Sequence, residues 1–169
     1  QSSAWRLVRH FRHWSILDYI VRTHMAKGKF WQDGLKFECR QCGNCCTFPG
    51  GSVYASEREF RRIADYFEIS FDEFLDRFTE EMDGYVSLIS VPEGPCVFYK
   101  DGCSIYDIRP TQCSTFPFWD HVLKGQHRWD DEAAQCHGMN YGKLWRPNEI
   151  REQLKQGEQA LMKARSKSE

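Results

Sequence analysis

Eight cysteines constrain this chain more than any other feature of its sequence. Four lie close together in residues 39–46, and the other four are spread over the second half of the chain. They are Cys39, Cys42, Cys45, Cys46, Cys96, Cys103, Cys113 and Cys136. Two cysteines separated by two residues can turn both sulfurs toward one point, the arrangement used by zinc sites and iron–sulfur clusters. The spacing therefore predicts that the cysteines hold metal, and Gly43 allows the tight backbone turn that this requires.

The adjacent pair Cys45 and Cys46 indicates more than one centre. Neighbouring side chains usually diverge, so the simpler arrangement sends the two sulfurs to different centres, or one of them elsewhere. Eight thiolates divide into two sets of four, the number that a closed zinc site or a [4Fe–4S] cluster requires. We therefore expect two nearby centres that share residues 39–46, with a partition that spacing does not give. Four disulfides also fit the even count, but the crowded first cluster and the lack of a secretory signal favour metal.

Composition sets the class of protein. The chain has 169 residues, 41% of them hydrophobic and 28% charged, which is typical of one globular domain with an appendage. Its net charge is −1, so we expect no nucleic-acid partner. No apolar run approaches the roughly 18 residues of a membrane span. We expect a cytoplasmic protein, although a removed targeting segment stays open because residue 1 is not Met.

Residues 1–36 are predicted to form a basic amphipathic arm. This segment contains seven Arg and Lys residues but only two Asp and Glu residues. Apolar residues recur at steps of three and four, as in a helix with one apolar face. They are Leu7, Phe11, Trp14, Leu17, Val21 and Met25. The arm either packs on its own domain or docks on an acidic partner or a membrane surface, and of these we expect a protein partner.

Local signals predict the remaining elements. Ser56-x-x-Glu59 and Ser70-x-x-Glu73 are typical of capping boxes, each followed by a short helix with Phe residues on its inner face. Residues 85–91 predict a strand, and residues 97–99 and 104–106 predict a hairpin that turns at 100–102. Residues 116–119 are expected to be extended. A C-terminal helix is predicted from residue 148, with Asn148 as its N-cap. The fold class is therefore α+β, a small metal-organised domain of short strands and loops flanked by N- and C-terminal helices.

Four further residues are candidates for the site. Arg109 could donate hydrogen bonds to cluster sulfur or bind an anion, or it could pair with Asp107 or another acid. His121, His127 and His137 lie near the distal cysteines in sequence and could complete a three-cysteine site, although a single histidine is more often structural. Phosphate-loop, nucleophile-elbow and zincin motifs are absent from the sequence, so no catalytic residue is predicted.

The cysteine motifs resemble a known family. Phe37-x-Cys39-x-x-Cys42-Gly43-x-Cys45-Cys46 is similar to the signature of the YkgJ-type cysteine-cluster proteins, the CxxCxxCC zinc- or iron-chelating domain. Gly102-Cys103-Ser104-Ile105-Tyr106 and Arg109-Pro110-x-x-Cys113 resemble its second half, and the similarity covers about residues 37–140. The resemblance implies that the eight cysteines bind iron–sulfur or zinc. It implies no biochemical role for the arm or for the C-terminal tail.

We divide the chain into an arm at 1–36, a metal-binding domain at 37–140 and a helical tail at 141–169. Three functions of the whole chain follow as hypotheses. The first is an iron–sulfur protein, possessing one or two centres such as [4Fe–4S], in electron transfer, redox chemistry or sensing. The second is a zinc-stabilised interaction module or subunit of a larger assembly. The third is a metal chaperone, which would present labile and partly exposed ligands. The all-cysteine ligand set favours iron–sulfur over the alternating Cys/His pattern of zinc fingers.

Overall fold

A computed structural model describes residues 28–48, 51–90 and 94–165 of the chain. The chain divides into two units, residues 1–30 and residues 31–169, and the description that follows concerns the second unit. The predicted amphipathic helix of the arm lies outside the described residues. Among the described residues, no helix is both long enough and apolar enough to cross a membrane.

Helices and short strands alternate along the described chain, which confirms the α+β fold class. The helices are α1 (Asn44–Thr47), α2 (Glu57–Tyr66), α3 (Phe71–Phe78), α4 (Thr111–Thr115), α5 (Asp120–Leu123), α6 (Gln126–Gln135) and α7 (Pro147–Arg165), with a 3₁₀ turn at Tyr106–Ile108. The strands are β1 (Leu35–Phe37), β2 (Val53–Tyr54), β3 (Thr79–Met82), β4 (Tyr85–Leu88) and β5 (Met139–Trp145).

Two small antiparallel sheets organise these strands. One sheet has the order β2-β4-β3 and the other pairs β1 with β5. In the second sheet Leu35 lies opposite Trp145, and the register shifts between Lys36 and Phe37, so that Phe37 lies opposite Met139. The indole Nε1 of Trp145 donates to the carbonyl of Phe37 at 2.9 Å. This ribbon joins the segment before Cys39 to the segment after Cys136.

Helices α2 and α3 carry the first apolar core. Both predicted N-terminal caps are confirmed: Ser56 and Glu59 form a capping box, and the Ser70 hydroxyl accepts from the amide of Glu73 at 3.1 Å. Their inner faces pack with β4 and with the segment around Phe98. The buried members are Ala55, Phe60, Ile63, Ala64, Phe74, Leu88, Phe98 and Ile105, and partly buried Cys96 and Cys103 pack against them. The core therefore carries two of the cysteines on its edge.

A second group of aromatic side chains packs around Phe118. Its ring lies 5.9 Å from that of Phe37, 6.2 Å from that of Trp129 and 5.0 Å from that of Trp145, measured between centroids. Phe118 and Trp129 are each only 1% exposed. Since Trp129 lies in α6, this packing fixes the helix whose end leads into Cys136.

Three predicted elements differ from the structure. Residues 97–99 and 104–106 do not form strands: the turn at 100–102 is present, but a single bridge joins Tyr99 to Cys103 and Tyr106 begins the 3₁₀ turn. In the stretch from 116 to 119, Phe116 and Pro117 form a turn after α4 with a cis bond between them, whereas Trp119 is extended as predicted. Helix α7 begins at Pro147, so Asn148 lies inside it, and Glu149 caps its start by accepting from the amide of Arg146 at 2.8 Å.

Candidate metal centre

Four segments carry the eight cysteines. Cys39 and Cys42 lie in the irregular stretch after β1, and Cys45 and Cys46 lie in the single turn of α1. Cys96 and Cys103 flank the turn at 100–102, Cys113 lies in α4, and Cys136 follows α6. All eight are free thiols. The structure brings the four segments together, although no long stretch of regular structure connects them.

Gly43 sets the direction of α1. Its φ of 78° lies in the left-handed region, and it occupies the N-cap position of the helix. The amide of Cys46 donates to the carbonyl of Gly43 at 2.8 Å, which closes the turn. A methyl group on Gly43 would overlap the ring of Tyr99, which packs directly against it. Glycine is therefore needed at this position for both backbone angle and space, as its place in the sequence predicts.

Cys46 lies at the centre of one group of thiols. Its Sγ is 4.0 Å from that of Cys45, and its thiol also interacts with that of Cys103. These interactions with Cys46 lower the pKa of Cys45 to about 7 and the pKa of Cys103 to about 6. The same two interactions, followed by burial, raise the pKa of Cys46 itself. The amide of Cys96 donates to the carbonyl of Cys46 at 2.6 Å, which ties the second cysteine segment to the first.

Cys96 and Cys113 extend this group into the protein. Burial raises the pKa of both thiols. The negative charges of Cys96, Cys45 and Cys103 raise the pKa of Cys113 further, so these thiolates repel one another when they share the site without a cation. A metal ion relieves this repulsion, because a thiol that binds metal does so as a thiolate.

Cys136 and the exposed cysteines lie at the other side of the loop. Burial raises the pKa of Cys136, and the charges of Cys42 and Cys45 raise it further. The side-chain amide of Asn44 donates to the carbonyl of Gln135, next to Cys136. Cys39 hydrogen bonds with the phenol of Tyr106 and thereby raises the pKa of that tyrosine. Cys39, Cys42 and Cys45 are exposed, so this side of the site faces solvent.

Arg109 supplies positive charge to the thiols. Its guanidinium lies 3.9 Å above the ring of Tyr106 and donates to the Tyr106 carbonyl at 2.5 Å. After the hydrogen bonds from Cys46, its charge is a further cause that lowers the pKa of Cys45 and Cys103. Within the described residues no carboxylate pairs with it, Asp107 included. Arg109 therefore packs on Tyr106, and its role beside sulfur stays a prediction.

The three histidines are not among the neighbours of the thiols. His121 stacks against Trp119 with ring centroids 5.6 Å apart, and it is exposed, as are His127 and His137. None of the three imidazoles is among the causes that shift the pKa values of Cys45, Cys46, Cys96, Cys103, Cys113 and Cys136. Soft thiolates without imidazole suit zinc, copper(I) and iron–sulfur clusters.

The sulfurs have gathered but do not all point to one position. Within residues 28–48, 51–90 and 94–165, no three Cys, His, Asp or Glu side chains are placed together as ligands of one ion. The expectation that Cys45 and Cys46 diverge is only partly met, because 4.0 Å is sulfur–sulfur contact. Two thiolates on one tetrahedral zinc, with bonds of about 2.3 Å, lie roughly 3.8 Å apart. The chemistry of the donors therefore fits a thiolate-bound metal.

Glu59 stabilises the position of the helix that carries Cys113. The sequence did not identify it as a site residue. Its carboxylate accepts from the amide and hydroxyl of Thr111 at 2.7 Å each, and from the amide and hydroxyl of Ser56 at 2.9 and 2.7 Å. It thereby fastens the start of α2 to the start of α4, which carries Cys113. The capping box signals the bonds to Ser56, but no local signal reveals the bonds to Thr111.

Replacement of Glu59 by Gln is expected to destabilise the protein by about 2–4 kcal/mol, because an amide cannot accept all four hydrogen bonds and hydrogen bonds to a charged group contribute about 1.5–3 kcal/mol. Burial raises the pKa of Glu59, but the bonds from Thr111 and Ser56 outweigh it, so the folded pKa is lowered. Its contribution is then fully present above the unfolded pKa of about 4.3 and is lost as pH falls through the folded value.

Urea unfolding of the wild type and E59Q at pH 7, 5 and 3.5 measures this effect. The difference between the two proteins should shrink toward pH 3.5. A difference that stays constant over this range would show that the Glu59 charge does not stabilise the fold. Glu57→Gln is the matched control, since Glu57 lies in the same helix turn and forms an exposed ion pair with Arg61.

These features define a class of protein: a small α+β domain that gathers thiols from four segments around a metal-binding loop. The comparisons with known proteins agree. Residues 38–137 match the model of the CxxCxxCC family, described as "Putative zinc- or iron-chelating domain", and the chain belongs to this family. An uncharacterized protein of Methanocaldococcus jannaschii is 28% identical over 110 residues, which cover 63% of this chain and 58% of that protein. No solved structure matches the chain.

Proposed function

We propose that the cysteines hold iron–sulfur and that the protein works in electron transfer or another redox role. The observation that carries this is the all-thiol neighbourhood around Cys46, where the Cys45 sulfur lies 4.0 Å away and the Cys103 thiol shifts the pKa of Cys46, without an imidazole as a cause. A bound cluster would supply one-electron chemistry. The exposed side at Cys39 and Cys42 would let an electron donor or acceptor approach the centre closely.

The contributions of the chain's own residues follow from their contacts. Cys96 and Cys113 are partly buried and would limit the access of water to one side of the sulfurs, and Cys96 packs against the apolar core. Arg109 offsets part of the negative charge that four thiolates bring to a cluster, and this favours the reduced, more negative state. Tyr106 holds Cys39 by a hydrogen bond at the exposed side.

A zinc-stabilised module is the second candidate. It is supported by the irregular backbone of the cysteine segments, since residues 38–43 form no helix or strand and residues 96–103 form only isolated bridges. Structural zinc sites stabilise such loops directly. The 4.0 Å separation of the Cys45 and Cys46 sulfurs also suits two ligands of a single ion.

Absorption spectroscopy of anaerobically purified protein, with iron, sulfide and zinc measured on the same sample, separates the two candidates. The iron–sulfur proposal predicts a brown protein with a broad absorption band near about 400 nm. It also predicts that the sample contains sulfide in stoichiometric amounts with iron. The band should bleach on reduction and return on reoxidation. A colourless protein that holds zinc and no sulfide would overturn the iron–sulfur proposal and support the module.

Replacement of Arg109 by Met should speed the loss of metal to a competing chelator about tenfold, equivalent to about 1.4 kcal/mol, because the thiolates lose the cation beside them. Arg109→Lys keeps the charge and should recover much of the loss. Arg61→Met is a matched control: Arg61 also lies over an aromatic ring, at 4.0 Å from the Phe71 centroid, but pairs with Glu57 away from the thiols. Equal release rates for R109M and R61M would contradict this role.

The arm and the tail complete the proposal. We infer from charge alone that residues 1–36, with seven basic and two acidic residues, bind an acidic protein partner and deliver the metal domain at 37–140 to it. The tail at 141–169 then serves as a support, since α7 packs against α4, which carries Cys113. Deletion of the arm should abolish capture of the partner and leave the metal content of the domain unchanged.

A further inference from the structure

One side of the ribbon formed by β1 and β5 is open to solvent. Phe37 and Met139 lie opposite each other and are buried, with the ring of Phe37 packed against that of Phe118. Lys36 and Leu144 also lie opposite each other, and both are exposed. Since neighbouring residues of a strand point to opposite faces, the ribbon has an apolar inner face and an outer face that contacts water.

Two large apolar side chains are exposed on this part of the ribbon. Tyr141 is 52% exposed and Leu144 is 50% exposed. The guanidinium of Arg40 lies over the Tyr141 ring, 4.0 Å from its centroid. We call Lys36, Arg40, Tyr141 and Leu144 the ribbon surface. Exposed tyrosine and arginine beside an aliphatic side chain are typical of surfaces that bind other proteins.

The ribbon surface adjoins the exposed thiols. Arg40 follows Cys39 directly in the chain, and Cys39 and Cys42 are both exposed. Since Tyr141 contacts Arg40, a partner that covers the ribbon surface would also lie next to Cys39. The position of this surface therefore suits a protein that exchanges electrons with a centre held by these thiols.

Charge distinguishes this region from the rest of the chain. Residues 35–42 and 139–146 together contain four basic residues and one acidic residue, Glu38, although the net charge of the chain is −1. Residues 57–83, on and around α2 and α3, contain ten acidic and four basic residues. Opposite charges on two proteins speed their association and orient them, whereas like charges repel. An acidic partner would therefore be directed to the ribbon surface and away from α2 and α3.

Two of the basic side chains are available to such a partner. Lys143 already forms an ion pair with Glu149 at 2.8 Å. In the part of the chain that the structure describes, no carboxylate pairs with Lys36 or with Arg40. Both side chains belong to exposed residues, so their charges face solvent.

We propose that the ribbon surface is the docking site of an acidic electron-transfer protein. The docking site rests on the proposed redox function, and it adds the chemistry of the partner and the place of contact. Lys36 and Arg40 attract and orient the partner, and Tyr141 and Leu144 supply the apolar contact. In each encounter the donor is oxidised by one electron and the acceptor is reduced by one electron, and no covalent bond forms or breaks.

Stopped-flow measurements with two small oxidants test the charge of the surface. Anaerobically reduced protein is reoxidised by anionic hexacyanoferrate(III) or by a cationic cobalt(III) complex, at low and at high salt. Lys36→Glu and Arg40→Glu should each slow the reaction with the anion roughly fivefold at low salt and speed the reaction with the cation. High salt should remove both effects. Arg58→Glu is the matched control, since Arg58 is also exposed but lies in α2 among acidic residues.

A protein probe tests the apolar contact. Electron exchange with an acidic plant-type [2Fe–2S] ferredoxin is followed in the direction that the two potentials favour. Tyr141→Ala combined with Leu144→Ala should slow this exchange about tenfold, because the buried contact of the complex is lost. The rate with hexacyanoferrate(III) should stay unchanged in the same variant, since a small ion needs no apolar contact.

The outcomes separate the docking site from the redox function. K36E and R40E proteins that behave like R58E would overturn the docking site, and so would a Y141A/L144A protein that exchanges electrons with ferredoxin at the wild-type rate. Wild-type protein without a reducible centre would instead overturn the redox function. Metal content and circular dichroism of each variant check the fold. If R40E loses metal because it lies next to Cys39, K36E decides, since Lys36 is not adjacent to a cysteine.

Discussion

Removal of the bound metal by a chelator under anaerobic conditions is expected to lower the thermal midpoint by roughly 15 °C or more. For a chain of this size 1 kcal/mol corresponds to about 2–4 °C, so the shift represents about 5 kcal/mol, which is less than the roughly 10–16 kcal/mol that structural zinc contributes in small domains. The physical reason is that few backbone hydrogen bonds join the cysteine segments. The main ones run from the amide of Cys96 to the carbonyl of Cys46 and from the amide of Glu38 to the carbonyl of Gly138. Metal ligation would supply the remaining connections.

Circular dichroism melts of loaded, chelated and reloaded protein measure this effect. Hydrogen exchange on the same samples should show that residues 38–48 and 94–113 lose protection most. Helices α2 and α3 are the internal control, because their buried residues Phe60, Ile63 and Phe74 belong to an apolar core that Cys96 and Cys103 touch only at its edge. A midpoint that moves by less than about 3 °C would mean that the metal does not organise these loops.

Replacement of Gly43 by Ala is expected to destabilise the protein by about 2–5 kcal/mol and to reduce its metal content. An L-residue with φ of 78° costs about 1–2 kcal/mol. The added methyl group also displaces the ring of Tyr99, and overpacking of this kind costs about 1–3 kcal/mol. Because Gly43 begins the turn that carries Cys45 and Cys46, the displacement moves both sulfurs.

Gly84 provides a matched control for this substitution. It has the same φ of 78°, but a methyl group there would meet nothing within 4 Å. Gly84→Ala should therefore cost only the backbone strain, about 1–2 kcal/mol, and should leave the metal content unchanged. Urea unfolding and metal analysis of both variants separate strain from contact. If G43A and G84A prove equal in both measurements, the Tyr99 contact does not position the cysteine turn.

Local elements were the part of the fold that the sequence could predict. The caps at Ser56 and Ser70 and the strand at Tyr85–Leu88 depend on residues within a few positions of each other, and the structure confirms them. The predicted hairpin strands were wrong because the short stretches around Phe98 and Ile105 pack into the core and pair by one bridge only. Helix α6 has only Trp129 buried and so lacks the apolar periodicity that would have revealed it.

Contacts between distant segments could not be predicted. The β1–β5 ribbon pairs residues more than a hundred positions apart, for example Leu35 with Trp145, without any turn to signal it. The Glu59 carboxylate accepts hydrogen bonds from Thr111 as well as at the start of its own helix, and Tyr106 interacts with Cys39. Both interactions exist because the fold brings distant residues together. Cysteine spacing identified the candidate ligands from sequence. The structure was needed to show the surroundings of these thiols, which set their charge and their exposure to solvent.

Titration of the thiols in native, anaerobically purified protein tests the central claim most directly. Wild-type protein is reacted with a thiol-specific disulfide reagent before and after addition of a chelator, and released metal is followed in the same cuvette. The account predicts that the eight thiols react slowly at first, although Cys39, Cys42 and Cys45 are exposed, and that all react once the metal has been removed. Eight thiols that react at the same rate with and without chelator, and no release of metal, would contradict it.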